Sequence, residues 1–150
     1  RYDHMNAYKL AGHQHVCEIE RELGLQAGKE VKVTFTSQVV PVCRGIMSTL
    51  YANLNVKKTE AEMLEVYRSF YKKEKFVRVF ESTAPIGSPH VRGTNYCNLV
   101  VSVDERVNRL RVVSYIDNLV KGQAGSALQN MNLVCGLPET MGLDRPGIYP

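Results

Sequence analysis

Five segments with the residue pattern of β-strands constrain the fold more than any other feature of this sequence. Residues 30–36 alternate apolar and polar side chains, as a half-buried strand does. Residues 46–54 are rich in β-branched and aromatic side chains, which favour strands. Three further strands are predicted at residues 76–80, 97–103 and 110–116. A sheet of four or five strands is therefore the predicted centre of the fold.

Three predicted helices do not alternate strictly with these strands. The first runs from residue 15 to 23, and the last covers residues 122–134. The second begins after Thr59, which together with Glu62 has the pattern of a capping box, and ends near Lys73. This order predicts an α+β fold with a largely antiparallel mixed sheet and helices on one face. The other face is either exposed to water or paired with a second subunit.

Three further segments are predicted to lack helix and strand. Residues 37–45 form a loop in which a proline and a glycine flank Arg44, and the tail up to Pro150 is extended. Residues 82–95 are rich in turn-forming side chains, and a loop of that length in a compact domain is functional or disordered. Arg92 lies in this long loop, so its side chain can be directed towards a ligand.

Composition and charge exclude several classes of protein. The formal net charge is only +4 and the basic residues are scattered, which argues against nucleic acid as a partner. No apolar stretch approaches the roughly 18 residues that a membrane span requires. The four cysteines lie far apart without a C-x-x-C pair, so we expect reduced thiols and a cytoplasmic location.

Two histidines, His13 and His15, lie at the start of the first helix, and Glu18 follows three residues after the second. A general acid or base needs a fixed position and a neighbour that influences its charge, and this placement offers both. The same spacing also occurs in metal sites and at ordinary helix ends. A zinc site needs three or four protein ligands, and neither His4 nor His90 is spaced to complete one. We therefore predict no metal.

Four segments in sequence order resemble motifs of the N-acetyl-γ-glutamyl-phosphate reductase family. Residues 11–20 are similar to the family's G-x-H-x-H-x-x-E-I pattern, and residues 40–46 to its V-P-x-x-R-G-I pattern. Residues 91–97 resemble V-R-G-[ST]-N-[FY]-C, and residues 117–133 resemble the closing D-N-L-x-K-G-x-x-G-x-A-x-Q-N-x-N pattern. Because the motifs keep the family's order over nearly the whole chain, the resemblance is specific.

The resemblance implies an NADPH-dependent reduction of N-acetyl-γ-glutamyl phosphate, a small acyl phosphate, through a cysteine thioester. It also implies a fold like the C-terminal domain of glyceraldehyde-3-phosphate dehydrogenase, which makes the subunit contacts, and hence a homodimer or homotetramer. The sequence lacks the G-x-G-x-x-G of a dinucleotide-binding domain and the family's G-C-Y-P-T nucleophile motif. Since it also begins with Arg1, we expect a C-terminal portion that is inactive alone.

Two regions are expected within this portion. Residues 1–116 form the catalytic and oligomerisation domain, and residues 117–150 form a C-terminal helix and tail that pack on the absent nucleotide-binding domain. NADP would bind mainly to that absent domain. In this chain Asn118, Lys121 and Gly122, at the start of the last helix with its small residues, are candidates for the nicotinamide end of the cofactor. Alternatively, residues 122–127 only pack tightly against the absent domain.

The remaining site residues are assigned from the same resemblance. His15 is preferred over His13 as the proton-transfer group, because Glu18 is placed to orient it. Arg92 and Arg44 are expected to bind the substrate, together with Asn95, since a planar guanidinium matches a carboxylate or phosphate. Each arginine could instead form a structural ion pair.

Two other functions remain open at this stage. One is a related enzyme such as an aspartate-semialdehyde dehydrogenase, against which the H-x-H motif argues. The other is a non-catalytic module that only assembles oligomers. The residues upstream of Arg1 would distinguish these possibilities.

Overall fold

The computed structural model describes residues 3–148, and the chain divides into two compact units, one ending at Cys43 and the other beginning at Arg44. The outer ends of the two predicted regions, residues 1, 2, 149 and 150, lie outside the described residues. The boundary predicted after residue 116 stays a prediction. None of the described helices is long and apolar enough to cross a membrane.

The first unit contains a helix and a short two-stranded sheet. Strand β1 (Asn6–Tyr8) precedes helix α1 (His15–Ala27), and strand β2 (Ser37–Val39) pairs with β1 in antiparallel register. The helix continues past Gly24 and ends at Gly28, whose φ of 64° is the left-handed conformation that often terminates helices. The helix is thus four residues longer than predicted.

The prediction of a strand at residues 30–36 is wrong. These residues are irregular, and the strand of this region lies in the segment that was predicted to be a loop. The reason is visible at Val33, whose backbone N–H donates to Glu20 Oε1 of α1 at 3.2 Å instead of to a neighbouring strand. Lys32 also pairs with Glu20, at 3.2 Å. Alternation of side chains alone does not provide the partner strand that a β-segment needs.

The second unit is built on a four-stranded sheet with the order β3-β6-β5-β4. Its strands are β3 (Ile46–Asn53), β4 (Val77–Glu81), β5 (Cys97–Asp104) and β6 (Arg109–Ile116). The β3–β6 and β5–β6 pairs are antiparallel, whereas β4 and β5 run parallel. The predicted α+β class with a largely antiparallel mixed sheet is confirmed, as are these four strands within one residue at each end.

Helix α2 (Glu60–Phe70) covers one face of this sheet. Leu64 is its buried residue, and it joins a core made of apolar side chains from the two central strands. That core consists of Leu64, Leu99, Val101, Val103, Leu110 and Val112. The predicted capping box is confirmed, because Glu62 N–H donates to Thr59 Oγ1 at 3.3 Å and Thr59 N–H donates to Glu62 Oε2 at 2.8 Å.

The chain closes with a π-helical turn (Val120–Ala124) that leads directly into helix α3 (Gly125–Val134). The tail is not simply extended as predicted. Residues 139–143 form turns in which Leu143 is buried, and the last described residue, Ile148, donates its N–H to Arg92 O at 2.9 Å. A buried leucine holds the turn in place, because an extended tail would leave that side chain in water.

Candidate functional site

The histidine pair lies in the first unit, at the start of α1. His13 is half-buried, with its ring centroid 5.1 Å from that of Phe35 and 5.8 Å from that of Tyr8. Its Nδ1 atom accepts the backbone N–H of His15 at 3.2 Å, and the two imidazoles are 4.8 Å apart. Burial, together with the charges of His15 and Lys9, lowers the pKa of His13 below its usual value. The neutral form of this imidazole is therefore favoured.

His15 differs from its neighbour in being exposed. The predicted contact with Glu18 is not formed, since neither a hydrogen bond nor an ion pair joins these two described residues. His15 therefore lacks the contact that favoured it over His13, and the choice within the pair stays a prediction. Within residues 3–148, no three side chains of the His, Cys, Asp or Glu type lie together as a metal site would require.

The second unit contains a fully buried carboxylate, Asp117, which connects three segments of the chain. Arg44 approaches it side-on, with Nε 2.8 Å from Oδ2 and Nη2 donating to Oδ1 at 3.1 Å. The N–H of Gly93 donates to Oδ2 at 2.6 Å. The N–H groups of Leu119 and Val120 donate to Oδ1 at 2.8 and 2.9 Å. Each carboxylate oxygen thus has both a backbone N–H donor and a close contact with the Arg44 guanidinium.

The surroundings of Asp117 keep it ionised. Burial alone would raise the pKa of this carboxyl, but the three backbone N–H donors of Gly93, Val120 and Leu119 and the Arg44 side chain together lower it below its usual value. A buried charge of this kind is tolerated only when it is paired and hydrogen-bonded. Arg44, predicted to bind substrate, therefore already has an intramolecular anionic partner.

Arg92 lies at the end of a short 3-10 helix (Ser88–Val91) within the long loop. This loop is anchored, because Val91 is fully buried and Arg92 N–H donates to Pro89 O at 3.3 Å. The Arg92 residue itself is half-buried. Of the two alternatives stated for residues 82–95, disorder is thus excluded by the contacts that hold the loop.

Asn95, the third predicted substrate residue, has no exposed surface. Its Nδ2 group donates to Gln129 Oε1 at 2.9 Å, and Lys121 Nζ donates to the same oxygen at 2.7 Å. Gln129 Nε2 in turn donates to Glu139 Oε1 at 2.6 Å. This network gives Asn95 a packing role in the second unit, and its contact with substrate stays a prediction.

The three predicted cofactor residues lie on one short stretch beside the Asp117 carboxylate. Asn118 Oδ1 accepts the N–H of Gly45 at 2.8 Å, while its Nδ2 group makes no hydrogen bond to another described residue. Gly122 N–H donates to Asp117 O at 2.8 Å, and a Cβ at Gly122 would approach that oxygen to 3.2 Å. The Asn118 Nδ2 group and the remaining N–H groups of the half-buried Lys121 ammonium, beside a glycine without a side chain, fit the carboxamide or phosphate groups of a nucleotide.

Asp117 and Gln129 are the residues that sequence reasoning missed. Both lie in the closing motif, but the resemblance directed attention to Asn118 and Lys121. A signal for Asp117 was present, because an aspartate at the start of a helical turn typically accepts the backbone N–H groups two and three residues later. No sequence pattern indicated that the same carboxylate also binds Arg44 and Gly93.

The chain is similar to a domain family of semialdehyde dehydrogenases and to part of several reductases. Residues 1–118 match the family described as semialdehyde dehydrogenase, dimerisation domain. The chain is 50% identical over 148 residues to the N-acetyl-gamma-glutamyl-phosphate reductase of Pelotomaculum thermopropionicum, covering 99% of this chain and 43% of that protein. It is 48% identical over 145 residues to the reductase of the same name from Citrifermentans bemidjiense, covering 96% and 42%.

A solved structure shares the fold. Aspartate semialdehyde dehydrogenase II from Vibrio cholerae superposes with a TM-score of 0.67 at 15% identity, covering 87% of this chain and 41% of that one. At this identity the likeness concerns the fold alone. The chain spans less than half the length of the curated relatives described above.

Proposed function

Because this chain belongs to the semialdehyde dehydrogenase dimerisation-domain family, we propose that it is part of a reductase that converts N-acetyl-γ-glutamyl phosphate to N-acetylglutamate semialdehyde in arginine biosynthesis. The observation that carries the proposal is the near-complete match of the chain to reductases of that name. The protein would work in the cytoplasm, and its nucleotide-binding domain and reactive cysteine would lie outside these 150 residues.

The proposed reaction has two steps. A cysteine thiolate first attacks the acyl carbon, so that a thioester forms and inorganic phosphate leaves. Reduction then gives the aldehyde and returns the thiolate. Bound NADPH supplies the hydride for this second step. Asn118 and Lys121 of this chain would hold the carboxamide end of the cofactor through their amide and ammonium groups.

One histidine of the pair is proposed to accept the proton of the cysteine thiol. The thiol must lose a proton before it attacks, and a neutral imidazole at the reacting group can accept it. The lowered pKa of His13 and its contacts with two aromatic rings suit that role. His15, which is exposed and follows two residues later, is the rival candidate.

Arg92 is the proposed anion-binding residue. Its guanidinium can form two parallel hydrogen bonds with a carboxylate or phosphate group of the substrate. Arg44 donates through Nη2 to Asp117 Oδ1, and its Nε lies 2.8 Å from Asp117 Oδ2, so it serves as the counterion of that buried carboxylate. We assign the substrate contact to Arg92, which is half-buried in the long loop, and keep Arg44 as the counterion of Asp117.

We also propose that a second copy of the chain covers the sheet face opposite α2. Alternation along β3 places Met47 and Tyr51 on that face, and they are 63% and 65% exposed. Exposed large apolar side chains on a sheet are typical of interaction surfaces. In sedimentation at tens of micromolar, Tyr51→Glu should shift the protein towards monomer, whereas Ser48→Glu, on the other face of the same strand, should not. A wild-type monomer would contradict the proposal.

The function is tested by turnover of the full-length protein that carries this sequence. We expect NADPH oxidation with N-acetyl-γ-glutamyl phosphate and much less with aspartyl phosphate. The reverse preference would favour an aspartate-semialdehyde dehydrogenase. The isolated 150-residue chain should fold but show no turnover, and activity of this chain alone would contradict the assignment of the cysteine to another part of the protein.

A further inference from the structure

The peptide plane between Arg92 and Gly93 is held from both sides. Its N–H, which belongs to Gly93, donates to Asp117 Oδ2 at 2.6 Å. Its C=O, which belongs to Arg92, accepts the N–H of Ile148 at 2.9 Å. Since a peptide group is planar, fixing these two atoms fixes the direction of the chain at the Arg92 Cα atom.

Gly93 restricts this plane further. Its φ of 74° lies in the left-handed region, and a Cβ there would approach Ile148 Cγ1 to 3.0 Å. Any residue other than glycine at position 93 would therefore strain the turn that follows Arg92. The side chain that accepts the N–H of Gly93 in this turn is Asp117.

We propose that Asp117 is a positioning residue that acts through Arg92. Its buried carboxylate orients the Arg92–Gly93 peptide plane, and this sets where the Arg92 guanidinium meets the acyl phosphate. Arg44 is its counterion, and the N–H groups of Leu119 and Val120 fix its other oxygen. The inference rests on the substrate role proposed for Arg92.

Asp117→Asn in the full-length protein is the test. The substitution keeps the shape but replaces one acceptor oxygen by an NH₂ group, which donates and cannot accept. The remaining oxygen can then accept either from Gly93 N–H or from the N–H groups of Leu119 and Val120, but not from both. We expect kcat/KM for the acyl phosphate to fall by about tenfold or more. A double-mutant cycle with Arg92→Lys should be strongly non-additive, since both changes disturb the same contact.

Asn132→Ala provides the matched control. Asn132 is also buried, and its Nδ2 group donates to Glu139 O and Met141 O, neither of which belongs to the Arg92–Gly93 peptide. This variant is expected to lose stability but to combine additively with Arg92→Lys. Ile148→Pro is the second test variant, because proline removes the N–H that holds the other side of the same peptide plane. It leaves the proposed cofactor residues 118–122 untouched, so kcat/KM for the acyl phosphate should fall while KM for NADPH stays within about twofold. If Asp117→Asn does not fold, Ile148→Pro replaces it in the cycle.

The outcomes separate the two proposals. A wild-type protein without activity on the acyl phosphate overturns the proposed function and this inference together. An active wild type in which Asp117→Asn, or its replacement Ile148→Pro, combines additively with Arg92→Lys overturns this inference alone. In Ile148→Pro, a loss of NADPH affinity equal to the loss for the acyl phosphate would likewise overturn it.

Discussion

Asn95 Oδ1 occupies the space that a Cβ atom on Gly125 would need. Gly125 is the first residue of α3 and is buried, and Val120 atoms crowd the same position. Gly125→Ala should therefore lower the free energy of unfolding by about 1–3 kcal/mol, the usual cost of overpacking. Urea unfolding of the chain measures this change.

Gly87→Ala is the control for that prediction. Gly87 has an extended backbone, and the nearest atom to a Cβ there is Pro89 Cδ at 3.6 Å, an ordinary contact. We expect a change within about 0.5 kcal/mol. Equal effects of the two substitutions would show that the close approach of Asn95 to Gly125 carries no special cost.

Thr59→Ala should destabilise the second unit by about 1 kcal/mol, because it removes the side chain that accepts the N–H of Glu62. Thr59→Ser, which keeps the hydroxyl, should be nearly neutral. The backbone N–H of Thr59, with Lys58 and the Thr59 hydroxyl, lowers the pKa of Glu62 to about 2. Helix content by circular dichroism and urea midpoints together report this cap, and equal midpoints for Ala and Ser would contradict it.

Asp117 should make stability depend on acid pH. Its pKa is lowered on folding below the usual value of about 3.9. The folded state therefore gains stability from this group above that pH and loses it as the pH falls through the folded pKa. Below pH about 4, the free energy of unfolding of wild type should fall more steeply than that of Asp117→Asn. Parallel curves would show that Asp117 is not the group responsible.

The histidine pair can be resolved by pH profiles of the full-length enzyme. If His13 is the base, its lowered pKa places the acidic limb of kcat/KM below pH about 6.5. His13→Asn should then reduce kcat by roughly 10²–10⁴-fold and remove that limb, with a smaller effect for His15→Asn. The opposite ranking would return the role to His15.

Arg92→Lys in the full-length enzyme should weaken kcat/KM for the acyl phosphate by about 1.5–3 kcal/mol, because lysine keeps the charge but loses the planar pair of donors. NADPH affinity should barely change. Kinetics at several NADPH concentrations separate the two effects. Wild-type behaviour of the variant would show that the loop has a structural role only.

Local sequence patterns determined the strands of the main sheet and the cap of α2. The four strands of the main sheet follow from apolar alternation and β-branched residues, and the cap of α2 follows from Thr59 and Glu62, three residues apart. The proximity of His13 and His15 also needed no structure, since only one residue separates them. In each case the interacting groups are near in sequence, so the backbone geometry of a few residues decides the outcome.

Tertiary structure decided the conformation of residues 30–36 and the partners of Asp117. Residues 30–36 have a strand pattern, yet Glu20 of α1 takes the N–H of Val33 and no strand forms. Asp117 reaches Arg44 across 73 positions and Gly93 across 24. A side-chain carboxylate can accept from any donor that folding brings near it, and no local pattern specifies which donors those are. The buried anchor beside Arg92 therefore became visible only in the folded chain.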